Sequence, residues 1–363
     1  INGKDAAVVK ARCKGTWGND INITIENKEI DGVQKCKFII KYKNAMEIFD
    51  NLVDKEDDDR YYLDIINAGS DMVTLEKKSG ELPATLVEGY LSGGINATMK
   101  DYENALEELE MEPDVDIVCA TVMDYRDMNF VKQLYANVDA HCKTMSLAAM
   151  NRIGFGQVPP ADELRHQNEE AKEIINMTLT LSSDRFVLVA PHGVLGAVIG
   201  LIGSLKYYES PTYKTISGVS GLARNYTPSN LKEMLKANVL LLEAKRGKGI
   251  IVEKGISTSG EQISVTRIAD RAVRGVKMIG DAFIGTLNTH LGRNALKEKI
   301  TEFFLQMEKD GAIQPNSAKT DPAFKVDVYA SDDDIAKGIV RVDIAVRPVR
   351  AIDYIYGTIL VRA

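Results

Sequence analysis

The chain has 363 residues, enough for two or three domains, and its 45% hydrophobic and 27% charged residues are the balance of a soluble globular protein. A formal net charge of −7 argues against a general binder of nucleic acid or anionic membrane. The longest apolar stretch, "GVLGAVIGLIGSL", is too short to cross a bilayer, and no signal-peptide flanks accompany it.

In chain order, the first hundred residues read as a small β-rich domain, 1–100. Val9, Ala11 and Cys13 alternate with Lys10, Arg12 and Lys14. After the turn residues "GTWGND", Ile21, Ile23 and Ile25 alternate with Asn22, Thr24 and Glu26. The two runs are expected to pair antiparallel around that turn. "KCKFIIKY" reads as a third strand, "NAMEIFDNLV" as a short helix, "DKEDDDR" as an exposed acidic loop and "MVTLEKK" as another strand. Cys13, Cys36, Cys119 and Cys142 lie far apart with no Cys-x-x-Cys pair, the usage of reduced, mostly buried thiols in a cytosolic protein. A Cys13–Cys36 bridge across neighbouring strands is conceivable but not expected.

From Asp101 the rhythm changes to an α/β body, 101–346. "DYENALEELE" has helical spacing, and "VDIVCAT" is a continuous apolar strand of the buried kind. Helix "FVKQLYANVDAHCKTM", strand "NRIGFGQV", helix "ADELRHQNEEAKEIINMTL" and strand "DRFVLVAP" follow. Alternation of this kind builds a mostly parallel sheet covered on both faces. "YTPSNLKEMLKAN" is a helix with Thr227 as N-cap and Pro228 in its first position. Strands "VLLLEA" and "GIIVEKGIST" come next, then amphipathic helices at roughly 267–288 and 293–310. "FKVDVYA", "GIVRVDIAV" and "DYIYGTILV" read as antiparallel strands, the last belonging to a C-terminal strand or arm, 347–363. The fold class is therefore α/β, α+β overall. The chain opens inside a strand, and "VAPHGVLGAVIG" passes from strand to helix with almost no loop. Both are expected where neighbouring residues are missing.

Chemical motifs are sparse. There is no phosphate loop, no G-x-G-x-x-G after a strand, no nucleophile elbow and no metal-binding spacing around His141, His166, His192 or His290. His192 and Asp124 follow strand ends, where α/β enzymes place catalytic groups. A turn histidine beside Gly193 and an acidic N-cap account for them more simply. The chain reads as no enzyme, with no cofactor and no metal. Arg267, Arg271, Arg274 and Lys277 recur at spacings of four, three and three, a basic stripe on one helix. Val273, Val276, Ile279, Phe283 and Leu287 form the stripe expected to face the core. The basic stripe is a candidate contact for a tube or an adjacent subunit; pairs such as Asp270–Arg274 on a solvated face are the plain alternative.

Several stretches, in order, resemble the contractile tail sheath family of bacteriophages and phage-tail-like particles. These are "CKGTWGNDINITI", "LSGGINATMKDYENALEELEMEPDVDIVCAT", "SSDRFVLVAP", "GVSGLARNYTPSNLKEMLKANVLLLEAKRGKGIIVEKGIST" and "RVDIAVRPVRAIDYIYGTILV". Among sheaths they look most similar to those of Gram-positive phages and defective prophages. "GGINAT" departs from the family's acidic, glycine-rich loop, and the family's N-terminal arm is expected to lie outside this sequence.

The resemblance implies a structural subunit that polymerises around a tail tube and contracts to drive the tube through a bacterial envelope. It implies a homo-oligomer with tube, baseplate and tail-terminator partners, no direct nucleic acid and no membrane insertion. The subunit would be assembled in the bacterial cytoplasm and reside in the particle's tail. It also implies terminal arms that add strands to neighbouring subunits. Arg347, Val349, Ile352, Tyr354, Ile355, Tyr356, Thr358, Ile359, Leu360 and Val361 are the strand-exchange candidates, with Pro348 as the break where an arm hinges. The sequence suits this independently, because Ile352, Tyr354, Tyr356 and Thr358 make one face of a strand with no remaining local partner. The alternatives are a nucleotide-binding or hydrolase-like α/β enzyme, with a polar pocket near Asp124 and His192, and a monomeric adaptor.

Overall fold

The computed structural model describes residues 6–78, 82–122, 125, 127–161 and 167–354. The chain divides into two compact units, one reaching to Tyr102 and one beginning at Glu103.

In the first unit, β2 (Asn22–Ile30), β3 (Val33–Tyr42), β4 (Ala45–Leu52) and β6 (Leu86–Tyr90) form an antiparallel sheet in the order β4-β3-β2-β6. A separate ladder joins β1 (Ala7–Ala11) to β5 (Val73–Lys77). Alternation sends Ile23, Ile25, Cys36, Phe38 and Ile40 inward, onto Tyr62, Leu63 and Ile66 of α1 (Tyr62–Gly69). The Asn67 side chain accepts from the Leu75 N–H at 2.7 Å and donates to the Leu75 carbonyl at 3.1 Å, which ties α1 to β5.

Two expectations are corrected here. β1 pairs with β5 rather than with β2, and "NAMEIFDNLV" is an edge strand, not a helix. Its mixed spacing arises because Cys36 faces Leu52 while Phe38 faces Phe49, so a bulge shifts the inward phase. The turn at Gly15 is fastened instead to the Gly93–Gly94 loop: Asn19 donates to the Gly94 carbonyl at 2.9 Å and accepts its N–H at 2.8 Å. A Cβ on Gly94 would meet the Gly15 carbonyl oxygen at 2.4 Å, so glycine is required there.

The second unit begins within α2 (Met99–Leu109). It holds a five-stranded sheet in the order β11-β10-β9-β8-β7, formed by β7 (Ile117–Cys119), β8 (Ile153–Gln157), β9 (Phe186–Ala190), β10 (Leu240–Lys245) and β11 (Gly249–Val252). β7 to β10 run parallel and β11 returns as a hairpin. All five residues of β9 are fully buried, as a central parallel strand requires. One face packs on α5 (Leu195–Ser204), the other on α3 (Met128–Leu147) through Tyr135 and Phe186, whose rings lie 5.3 Å apart. Gly156 permits this contact, since a Cβ there would lie 2.6 Å from the Tyr135 ring.

α4 (Gln167–Leu181) is tied to the segment before α6 (Pro228–Lys236): Glu170 accepts from Arg224 at 3.0 Å and from the Tyr226 hydroxyl at 2.9 Å. Thr227 caps α6, with Pro228 in its first turn, as the sequence predicts. The short join after β9 is a tight turn through Gly193, at φ 90°, into α5.

The last layer is α7 (Ile263–Asp281), α8 (His290–Lys309), β12 (Phe324–Tyr329), α9 (Asp332–Ala336) and β13 (Arg341–Val346). Ile268, Ala272, Leu296, Ile300 and Phe304 build its core. Val276, Ile279 and Phe283 pack against that core as expected, whereas Val273 and Leu287 are exposed. α7 ends at Asp281, so the phase of its stripe does not extend to Leu287. Cys36 and Cys142 are buried, and burial pushes both thiols up to about 12. Cys13 and Cys119 are exposed, which corrects the expectation of mostly buried thiols; all four are free.

Candidate functional site

β12 and β13 form a two-stranded antiparallel ladder, Phe324 opposite Val346 through Tyr329 opposite Arg341, and within the described residues each pairs only with the other. Phe324, Val326, Val328, Val342, Ile344 and Val346 pack toward α8, while Lys325, Asp327, Arg341 and Asp343 face outward. Two-stranded ladders gain stability from further strands or packing. Here one face has packing, and among the described residues both outer edges keep unused backbone groups.

α9 and Arg341 set one end of the ladder. Ser331 and Asp334 form a capping box, and Arg341 grips the Asp334 carboxylate with two donors, at 3.0 and 2.9 Å. These hydrogen bonds, Arg341's first, hold the Asp334 carboxyl down to about 2.

At the other end the chain passes along its own subunit. The Arg347 N–H donates to the Ala323 carbonyl at 2.9 Å, the Arg347 carbonyl accepts from Gln314, and the Val349 N–H donates to the Ala312 carbonyl at 2.9 Å. Pro348 bridges to Ile313. Arg347 and Val349 are thus fastened within their own subunit, and Pro348 is not a free hinge. Arg350 then meets Glu261 through two bonds, and Ala351 and Asp353 dock on Gln262. Ile352 and Tyr354 project outward, 77% and 58% exposed. Ile355, Tyr356, Thr358, Ile359, Leu360 and Val361 lie outside the described residues.

The basic stripe makes contacts within its own unit. Arg267 donates to the carbonyls of Leu205 and Lys206, at 3.0 and 3.3 Å, closing the end of α5. Arg274 bonds Asp116 and the carbonyls of Val115 and Asn151, and Lys277 reaches the Ala148 carbonyl at 3.2 Å beyond α3. Arg271 is exposed, 5.8 Å from the Phe303 ring. Three of the four cations therefore seal ends of their own unit's elements. Periodicity places residues on a face but cannot tell solvent from carbonyl ends. Asp270 pairs with Arg185 at 2.6 Å, and burial pushes its carboxyl up against that cation's pull.

His192 is a turn residue: its Nδ1–H donates to the Val158 carbonyl at 2.8 Å, its ring lies edge-on to Tyr125, and the Gly193 N–H donates to Gln157. Asp124 and His166 lie outside the described residues. His141 lies beside Arg152, and His290 beside Asn294. Among the described residues no cluster of His, Cys, Asp or Glu fits a metal, and no helix is long and apolar enough to cross a membrane.

Among curated proteins no match is found. Solved structures do match in fold. The sheath tail protein Lin1278 from Listeria innocua aligns at a TM-score of 0.53 and 16% identity, over 95% of this chain and 76% of its own. The sheath tail protein DSY3957 from Desulfitobacterium hafniense aligns at 0.54 and 17%, over 96% and 77%. The helical sheath of the anti-feeding prophage in its contracted state aligns at 0.56 and 14%, over 75% and 77%. At these identities the likeness speaks to the α/β fold alone. The family comparison reaches further, because the phage tail sheath protein central domain matches residues 96–258 and the phage tail sheath C-terminal domain matches 258–362. With these two models running end to end over most of its length, the chain belongs to the phage tail sheath family.

Proposed function

We propose that the chain is a structural subunit of a contractile tail sheath. It polymerises around a tail tube and contracts to drive the tube through a bacterial envelope, without catalysis and without a cofactor. The observation that carries the mechanism is the two-stranded β12–β13 ladder, packed on one face and, among the described residues, unpaired at both outer edges, next to an alternating segment that continues past Tyr354. A strand from a second copy completes such an edge by β-augmentation: backbone bonds give strength, and alternate side chains give register. About eight backbone bonds at a net ~0.5–1.5 kcal/mol each contribute roughly 4–12 kcal/mol before ordering costs. Joints of that size hold while the bodies rotate between a longer and a shorter packing, so assembly itself stores the energy for contraction.

Because residues 347–353 are fastened within their own subunit, the exchanged strand begins later than Arg347 and comprises 355–361. The wider setting follows the same reading: other sheath subunits, tube, baseplate and terminator as partners, and assembly in the bacterial cytoplasm before the tail is complete. Arg271, the stripe's exposed arginine, is the remaining candidate from that stripe for a tube or neighbour contact.

Electron microscopy of the purified chain tests this. Long hollow tubes are expected from the full chain, and folded subunits without tubes after deletion of 355–363. Tubes that survive the deletion overturn the role of the terminal strand, and a full chain that stays monomeric at high concentration overturns the sheath reading.

A further inference from the structure

Where the chain leaves the β12–β13 ladder it meets a set of contacts that the fold of the α/β body does not require. Gln262, the buried residue preceding α7, turns its side-chain amide onto the Ala351 peptide. Its Oε1 accepts the Ala351 N–H at 2.8 Å, and its Nε2 donates to the Ala351 carbonyl at 3.0 Å and to Asp353 Oδ2 at 2.8 Å. One side chain thus satisfies both backbone groups of one residue, as a neighbouring strand would. Asp353 also accepts from Thr212 Oγ1 at 3.3 Å and lies 3.6 Å from Lys254 Nζ, which sits 5.3 Å from the Tyr354 ring centroid. Glu261, adjacent to Gln262, takes the two donors of Arg350 at 2.8 and 2.9 Å. The contributors come from the turn at 210–212, the loop after β11 and the start of α7, so the clamp joins three separate parts of the body to Arg350, Ala351 and Asp353.

We propose that Glu261, Gln262, Thr212 and Lys254 form a strain-relief clamp, which passes load arriving along the C-terminal segment into the α/β body before it reaches β13. The inference rests on the strand-exchange reading. A two-stranded ladder pulled from the end of one strand opens one rung at a time. The clamp sits between the pulled end and the first rung, and its contacts with Arg350, Ala351 and Asp353 share the load. Gln262 and its companions are positioning residues: they fix where the exchanged strand starts and in which direction it leaves.

The test uses the full chain with Gln262→Leu, which keeps the volume and removes the amide, and with Asp353→Ala, which opens the clamp from the other side. In the free subunit, each variant is expected to speed exchange of the Ala351 amide by at least about tenfold while amides in β9 keep their protection. In tubes, each is expected to assemble like the parent but to break into short pieces on contraction. Unchanged exchange at Ala351 overturns the clamp. Faster exchange with contracted tubes as long as the parent's overturns its load-bearing role. A parent chain that forms no tubes removes that role together with the sheath reading, and the Ala351 measurement tells the two failures apart.

Discussion

Arg152 is fully buried, and among the described residues no carboxylate pairs with it. It donates to the carbonyls of Leu109 and Glu112 and lies 2.9 Å from His141 Nε2. A cation in that position requires the neighbouring imidazole to accept, and therefore to stay neutral. Burial lowers the His141 pKa, the Arg152 charge lowers it further, and Glu110 pulls weakly the other way. The folded value is below the unfolded 6.5, so this contribution to stability is complete above pH 6.5 and is lost as pH falls from there toward the lowered value. Urea midpoints measured from pH 7 to pH 5 are expected to fall more steeply for the parent than for His141→Gln, whose amide still accepts from Arg152 without titrating. Equal slopes would contradict the assignment. Nothing in the sequence marks this pair, because eleven residues separate the partners and both sit in patterns that read as ordinary helix and strand.

At the scale of elements, α9 is short and depends on its capping box for definition, and the same Asp334 carboxylate holds the first residue of β13. Asp334→Ala is expected to raise amide exchange in Val342 and Ile344 at neutral pH. Because the folded carboxyl is depressed to about 2, the parent keeps this stabilisation above the ordinary 3.8 and loses it as pH falls from there to about 2. Parent and variant should therefore converge at the acid end. A difference that persists there would show that Asp334 acts by packing rather than by charge.

Elements of this layer were legible where one face is buried and the other wet: alternation in 340–346 gave β13 nearly to the residue, and the helix expected at 293–310 is α8, which begins three residues earlier at His290. β4 was not legible, because as an edge strand it exposes Met46 and Ile48 on one side and is bulged toward the other. α1 escaped because it is two turns long and follows a run of acids. The stem at 347–353 read as an arm since its anchors, Gln262 and Thr212, lie about ninety and 140 residues away, beyond any local pattern.

For the molecule as a whole, the two units have separate cores, one centred on Phe38 and Tyr62 and the other on β9. Phe38→Ala is expected to cost the first unit about 3–5 kcal/mol, as for a phenylalanine removed from a packed interior. Hydrogen exchange should report the loss in β2 and β3 with protection of β8 and β9 unchanged, and a matching loss in β9 would mean that the two units unfold together. The change of rhythm near residue 101 was visible because a period-two pattern gives way to alternating helices and buried strands. Pairing across sixty residues, as between β1 and β5, was not.

The outward side of the β12–β13 ladder carries Lys325, Asp327, Arg341 and Asp343, and it places Asp327 directly opposite Asp343. Lys297 Nζ at 3.2 Å and the Tyr329 hydroxyl at 2.9 Å hold these two carboxylates, and charge on such a face discourages chance adhesion between free copies. That guard is electrostatic, so dissolved ions weaken it over a distance of about 8 Å at physiological strength. Concentrated salt should therefore lower the barrier to spontaneous growth, and dilute buffer should keep stored subunits single until a growing end recruits them.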